Sequence, residues 1–258
     1  MICRRVQQDG LAWFRLALLD QFPELEHRLW TRCGGVSQPP YEGLNLSFSV
    51  GDNPKRVSRN RSLIQQAMGV TELVSVGQIH SKNTLILSSQ NRLHYDREIQ
   101  GIDILITDIP GVGLLIKQAD CQAVILYDPE TRVIANVHCG WRGNVQNVLG
   151  QAVDQLREVF GCRPESLRAG ISPSLGPCCA EFTHYREEFP EAFWTYQIKP
   201  MFFDLWRLSC DQLIAAGLRS EHIQVAALCT RCQAGDFFSY RRDRITGRNG
   251  TVVALHPS

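Results

Sequence analysis

The stretch VIANVHCGWRG at 133–143 ends an apolar run on a histidine, followed at once by a cysteine, two glycines, a tryptophan and an arginine. The run predicts a buried strand over 132–137 that delivers His138 to its end. Gly140 and Gly143 permit a tight turn. A long helix starting just after them would add backbone N–H groups that attract anions. Arg142 contributes a planar, permanently charged fork suited to phosphate or carboxylate. The same residues also fit a plain strand–turn–helix junction with Trp141 as a packing plug. Two further stretches bear on the choice. QADCQAVILY at 118–127 places Asp120 and Cys121 just before a strand, and GQIHSKN at 77–83 places His80 at the end of another. One cysteine and two histidines suit Zn²⁺ with a fourth position left for water, the arrangement of a catalytic rather than a closed structural site. The three residues are far apart in the chain, so no local spacing fixes them as ligands. Histidine is also present at 27, 94, 184, 222 and 256.

Other residues could serve the same chemistry. In TRCGGVSQPPYEGLNLSFSVGDNP at 31–54, Arg32 beside Gly34 and Gly35 could hold an anionic group. Asn45 sits in an apolar frame where a buried amide needs a partner, either a ligand or the backbone. RRDRITGR at 241–248 is the densest basic patch, read as a solvated loop or as a site for one small anion. Cys229-Thr-Arg-Cys232 is a CxxC. It could be half of a structural zinc site with Cys178 and Cys179 as the other half, a redox pair, or two small buried thiols, which is the plainest reading.

The elements that must position these groups alternate in type. Strands are predicted over 73–79 and 84–88 around a turn at Ser81–Asn83, and over 112–117, 123–127, 132–137, 167–171, 223–228 and 251–255. Asp128-Pro129-Glu130-Thr131 is a turn, making 123–127 and 132–137 a hairpin. A helix from about Pro54 to Met68 can be capped by Asp52 or Asn53 and stopped by Gly69. Val145, Val148, Leu149, Ala152, Val153, Leu156, Val159 and Phe160 recur at three-and-four spacing, predicting one helix over 144–160 closed by Gly161. A third helix is expected over about 204–216. Such a mixture implies one α/β domain with mixed sheets flanked by helices.

The whole-chain balance excludes several function classes. At 258 residues the chain can bury a substantial core. A net charge of +1 with no long basic run gives no footing for nucleic acid. The apolar part of the N-terminal stretch is broken by Arg15 and Asp20 and does not read as a secretion signal, and no run approaches the length expected of a membrane span. The ten cysteines are irregularly spaced, which fits reduced thiols rather than a disulfide scaffold. A soluble, cytoplasmic protein is expected.

Taken together, TRCGGVSQPPYEGLNLS, VGQIHS, QADC, VHCGWRG, GISPSLGPCC and FFSYRRDRITGR closely resemble the YfiH/DUF152 family over nearly the whole chain. Its members are also described as laccase-domain, purine nucleoside phosphorylase-like or peptidoglycan editing factor-type proteins. The resemblance implies one domain over 1–258 with a four-layer α/β/β/α arrangement of mixed sheets, and zinc ligands at His80, Cys121 and His138. It implies zinc-dependent chemistry on a purine nucleoside and phosphate: phosphorolysis of adenosine, inosine, guanosine and methylthioadenosine, and deamination of adenosine. In that scheme Asp120 protonates leaving ammonia, Arg142, Arg32 and Arg241 or Arg242 cradle phosphate, and Asn45 hydrogen-bonds the ribose or base.

A Cys121–His138 nucleophile–base dyad for acyl transfer or deamidation uses the same atoms. Editing of peptidoglycan precursors and copper polyphenol oxidation are further activities attached to the family. Copper is the weaker choice: a blue-copper site wants a weak axial ligand such as Met, and the chain has three methionines and lacks the extra His clusters that phenol oxidation requires. The chain departs from the family pattern at Gln118 in QADC, at Cys139 for a usual alanine, and at Ser49 for a usual histidine. The last predicts loss of part of the activity, or a non-enzymatic binding protein, if that histidine moves protons or holds phosphate.

Overall fold

The structure is a computed structural model describing residues 3–88 and 98–256. Among these, the chain runs through β1 (Cys3–Gln8), β2 (Leu11–Leu16), β3 (Leu25–Trp30), α1 (Pro54–Met68), β4 (Glu72–Ser75), β5 (Thr84–Leu87), β6 (Ile104–Thr107), β7 (Val112–Gln118), β8 (Gln122–Asp128) and β9 (Val133–Cys139). It continues through α2 (Trp141–Val145), α3 (Val148–Phe160), β10 (Arg168–Ile171), α4 (Tyr185–Glu188), β11 (Gln197–Lys199), β12 (Phe202–Phe203), α5 (Leu205–Ala215), β13 (Ile223–Val225), α6 (Tyr240–Asp243) and β14 (Asn249–Leu255).

The strands form two six-stranded mixed sheets, ordered β1-β2-β3-β14-β7-β4 and β13-β10-β8-β9-β6-β5, beside a small β11-β12 ribbon. Alternation along each strand sends side chains to two different cores. In β7, Leu114 and Ile116 face the space between the sheets, where they meet Ala123, Ile125 and Tyr127 of β8. Leu115 points the other way, onto Ile64 and Met68 of α1. Val124 and Leu126 of β8 likewise face outward, onto Leu149, Val153 and Leu156 of α3 and Leu213 of α5. The result is the expected four-layer α/β/β/α arrangement, with the two sheets as its inner layers. A polar side chain also crosses the apolar interior: Asn136 Nδ2 of β9 donates to the carbonyls of Leu114 and Thr251 on the opposite sheet, each at 2.9 Å.

The β8–β9 hairpin forms with Ala123 opposite His138. Helix α1 is capped by Asn53, whose side chain accepts from the Lys55 amide, and ends at a left-handed Gly69. Four expectations are corrected. The helix over 144–160 is two helices, because Asn147 sits at φ 54° and turns its side chain back onto the Gly150 amide; Val145 is left 38% exposed, outside the buried stripe. The strand over 73–79 ends at Ser75. It and the strand at 84–87 join different sheets rather than flanking one turn. Strand β13 stops at Val225. Strands β1, β2, β3 and β6 lie outside the predicted set. His94 falls outside the described residues.

Candidate active site

Strand β9 carries His138 as its next-to-last residue, with Cys121 just ahead of β8. His80 lies in the segment between β4 and β5, at a left-handed φ of 64°. The ligand atoms of these three side chains all lie within 4.8 Å of one another. Cys121 Sγ is 3.7 Å from His80 Nε2, and the two imidazole centroids are 4.8 Å apart.

One carboxylate organises both histidines. Asp103 sits just ahead of β6, is fully buried, and accepts from the amides of Ile79, His80 and Ser81 at 3.2, 3.0 and 2.6 Å. These bonds hold the strained His80 backbone in place. Asp103 Oδ1 also lies 2.7 Å from His138 Nδ1. A carboxylate accepts, so Nδ1 carries the proton and Nε2 is left as the ligand atom, the arrangement that orients histidines on metals. Burial pushes the Asp103 carboxyl up, but hydrogen bonds and charge from His138, with bonds from Ser81, outweigh it and hold it at about 2.

The same competition acts on the neighbouring pair. Burial raises the Cys121 thiol, yet the charge and hydrogen bond of His138 and the nearness of His80 bring it down to about 6. Burial lowers His138, while Cys121 and Asp103 raise it to about 9. Gly140 is required by close approach. A Cβ there would sit 2.8 Å from Cys121 Sγ and 2.9 Å from His80 Cδ2.

The cluster opens into a cavity of about 780 Å³. Its walls include Lys117, Asp120, Arg142, Tyr240 and three further arginines, Arg241, Arg244 and Arg248. The family model described as multi-copper polyphenol oxidoreductase laccase matches residues 26–256. A protein named purine nucleoside phosphorylase from Bacteroides thetaiotaomicron is 32% identical over 92% of this chain and 94% of its own. The chain belongs to this laccase-like YfiH/DUF152 family. Its Escherichia coli member, named purine nucleoside phosphorylase YfiH, is 31% identical over 87% of this chain and 91% of its own. The crystal structure of Bacillus licheniformis YfiH superposes with a TM-score of 0.87 at 27% identity, covering 97% of this chain and 98% of that one.

Within this YfiH-type framework the remaining predicted residues divide. Arg142 lines the cavity, its guanidinium 4.3 Å from the centre of the Trp141 ring. The long helix expected to start beside Arg142 does not, because α2 is a single turn and the longer α3 starts after the break at Asn147. Asp120 reaches the cavity at φ 92°, but its Oδ1 accepts from the Thr230 hydroxyl at 2.7 Å and its Oδ2 from the Arg241 amide at 2.6 Å. Arg32 stands outside the lining, bonded to the Glu42 and Ala234 carbonyls and stacked on Phe238. Asn45 is also outside: its amide donates to Asp52 and the Ser47 carbonyl and accepts from the Ser47 and Arg248 amides, so its partner is the protein itself. Arg241 faces the cavity, while Arg242 turns away to the carbonyls of Thr230, Arg231 and Phe237. Ser49 lines the cavity beside Ser47, their hydroxyl oxygens 3.0 Å apart. Cys139 is buried in the apolar layer under α3.

Sequence reasoning missed Asp103 and Lys117, whereas Arg244 and Arg248 belong to the basic patch at 241–248 and both line the cavity. Asp103 did leave a signal, as a lone acid in the apolar run IDILI at 102–106, where a buried charge demands partners. No helix among the described residues is long and apolar enough to cross a membrane.

Proposed function

We propose that the chain is a purine nucleoside phosphorylase using a zinc ion held by His80, Cys121 and His138. The observation that carries this is a single cavity lined by both the three-ligand cluster and a set of arginines. Two histidines and one thiol fit a borderline-soft cation, and Asp103 supplies the outer carboxylate such sites use. Zinc bound there supplies a Lewis acid that stabilises the charge developing on the departing purine. The residues do the rest. Arg142 and Arg244 stack on Trp141 and Tyr240 and have no ion pair among the described residues, so their N–H groups remain for the phosphate oxygens. Asp120 fixes the Arg241 backbone and thereby one wall of the anion pocket. Gly140 keeps the approach to Cys121 and His80 clear. The lining contains no methionine for a blue-copper axial position, which favours zinc over copper.

Adenosine deamination needs a proton donor to the leaving ammonia. Asp120 is a poor choice because both its oxygens already accept protein hydrogen bonds, so phosphorolysis is the favoured reaction. A Cys121–His138 dyad has support of its own in the low thiol and the raised imidazole. It requires both groups free, whereas zinc binding would engage both. The experiment is to incubate the protein with adenosine or inosine, with and without phosphate. Phosphate-dependent release of free base is expected, with Arg244→Gln raising the KM for phosphate roughly ten- to a hundredfold, the worth of a charge-assisted hydrogen bond. Ammonia release independent of phosphate, or hydrolysis of an amide substrate by metal-stripped protein, would overturn the reading.

A further inference from the structure

Beyond the cavity lies a second cluster of metal-binding side chains. The sulfurs of Cys178, Cys179, Cys229 and Cys232 all lie within 4.8 Å of one another. Cys232 Sγ is 3.7 Å from Cys178 Sγ and 3.5 Å from Cys179 Sγ, and all four are free thiols. Packing does not explain the gathering. Cys178 and Cys232 are exposed, so only two of the four bury themselves as small apolar residues do. We propose that these four cysteines form a closed structural site for zinc.

The distances match the ion. Zinc–sulfur bonds of about 2.3 Å in a tetrahedron place neighbouring sulfurs about 3.8 Å apart. Four ligands leave no open position, which distinguishes this site from the three-ligand cluster in the cavity. Donors compensate the negative charge that four thiolates would concentrate. The Gly176 amide donates to Cys229 Sγ at 3.3 Å, and Arg231 Nη1 lies 3.6 Å from Cys179 Sγ. The ligands come as a CxxC on the segment after β13 and an adjacent pair after β10, Cys232 lying 54 and 53 residues from Cys178 and Cys179. A bound ion would therefore staple two distant segments.

Those segments support the anion wall. Thr230, inside the CxxC, donates to Asp120, which in turn holds the Arg241 amide. Arg241 Nη1 donates to the carbonyls of Cys179 and Glu181. Arg242 Nη1 donates to the carbonyls of Thr230 and Arg231. The zinc fixes the backbone on which Arg241 is mounted, with no part in the chemistry.

The test is metal analysis of protein purified without added metal. About two zinc ions per chain are expected in the native protein, and about one in either Cys178→Ser/Cys232→Ser or His80→Ala/His138→Ala. If the serine variant does not fold, cobalt added to the metal-stripped histidine variant serves instead. A tetrahedral all-thiolate cobalt spectrum is expected there, displaced by zinc. Unchanged zinc content in the serine variant overturns the proposal. So does the absence of thiolate–cobalt bands in the histidine variant, or a disulfide among the four in freshly purified native protein. Failure of the cavity's zinc reads differently: one ion per chain in the native protein, lost only when the four cysteines are altered.

Discussion

Two sulfur-bearing clusters sit on this fold, and they differ in what surrounds them. The His80–Cys121–His138 cluster has three ligand side chains, a buried carboxylate behind it and a cavity lined with arginines in front. The four-cysteine cluster has no carboxylate partner among the described residues and draws its sulfurs from two loops, two of them exposed. The contrast shows how ligand count and setting divide labour. A three-donor set with an open side can leave room for a reaction, while four donors converging on one point can leave room only for a fastening.

The sharpest way to break the comparison is Cys121→Ala. Turnover should fall more than about a hundredfold, beyond the effect typical of outer partners, while the second cluster keeps its metal; steady-state kinetics with metal analysis checks both. Next is Asp103→Asn. An amide can still face His138 Nδ1, but it offers one acceptor oxygen where the carboxylate offered two. Zinc affinity or activity should drop roughly ten- to a hundredfold, read by competition with a chromophoric chelator. The smallest effect concerns the charges that line the cavity and are absent from the four-cysteine site. Burial pushes Glu98 up, but Lys117 and Arg61 outweigh it and hold it at about 2, below its ordinary 4.5. A folded-state value below the unfolded one stabilises the fold above about pH 4.5, and that contribution is lost as pH falls through about 2. Urea unfolding should therefore find Glu98→Gln less stable than the parent near pH 6, the gap closing toward pH 2.

The readable and unreadable parts of the molecule separate along physical lines. Local chemistry was legible. Asn53 and Gly69 bracket α1, Asp128–Thr131 turns the central hairpin, and strand ends carry His138 and Cys121. Long-range partnership was not. β4 and β5 look alike in sequence, yet only their distant neighbours β7 and β6 decide which sheet each joins. The break at Asn147 was hidden because apolar spacing continues across it, while a single left-handed residue is set by its own side-chain bond. Arg32 and Asn45 had the right chemistry for a site but stand outside the cavity, bonded to backbone carbonyls and, for Asn45, also to Asp52. Arg244 and Arg248 were legible only as members of a basic patch, and the cavity that they line is assembled from segments distant in the chain.

Asn136 has a role that reaches the cavity from some distance. Oily faces attract without regard to direction, so two sheets joined by them alone could slip or swivel at little cost. An amide bolted to carbonyls on the facing sheet removes that freedom. The cavity takes Lys117 from one sheet and His138 from the other, so its width is set by how those two layers are indexed. A polar rivet in the greasy interior thus helps calibrate the gauge of the chamber where substrate must fit.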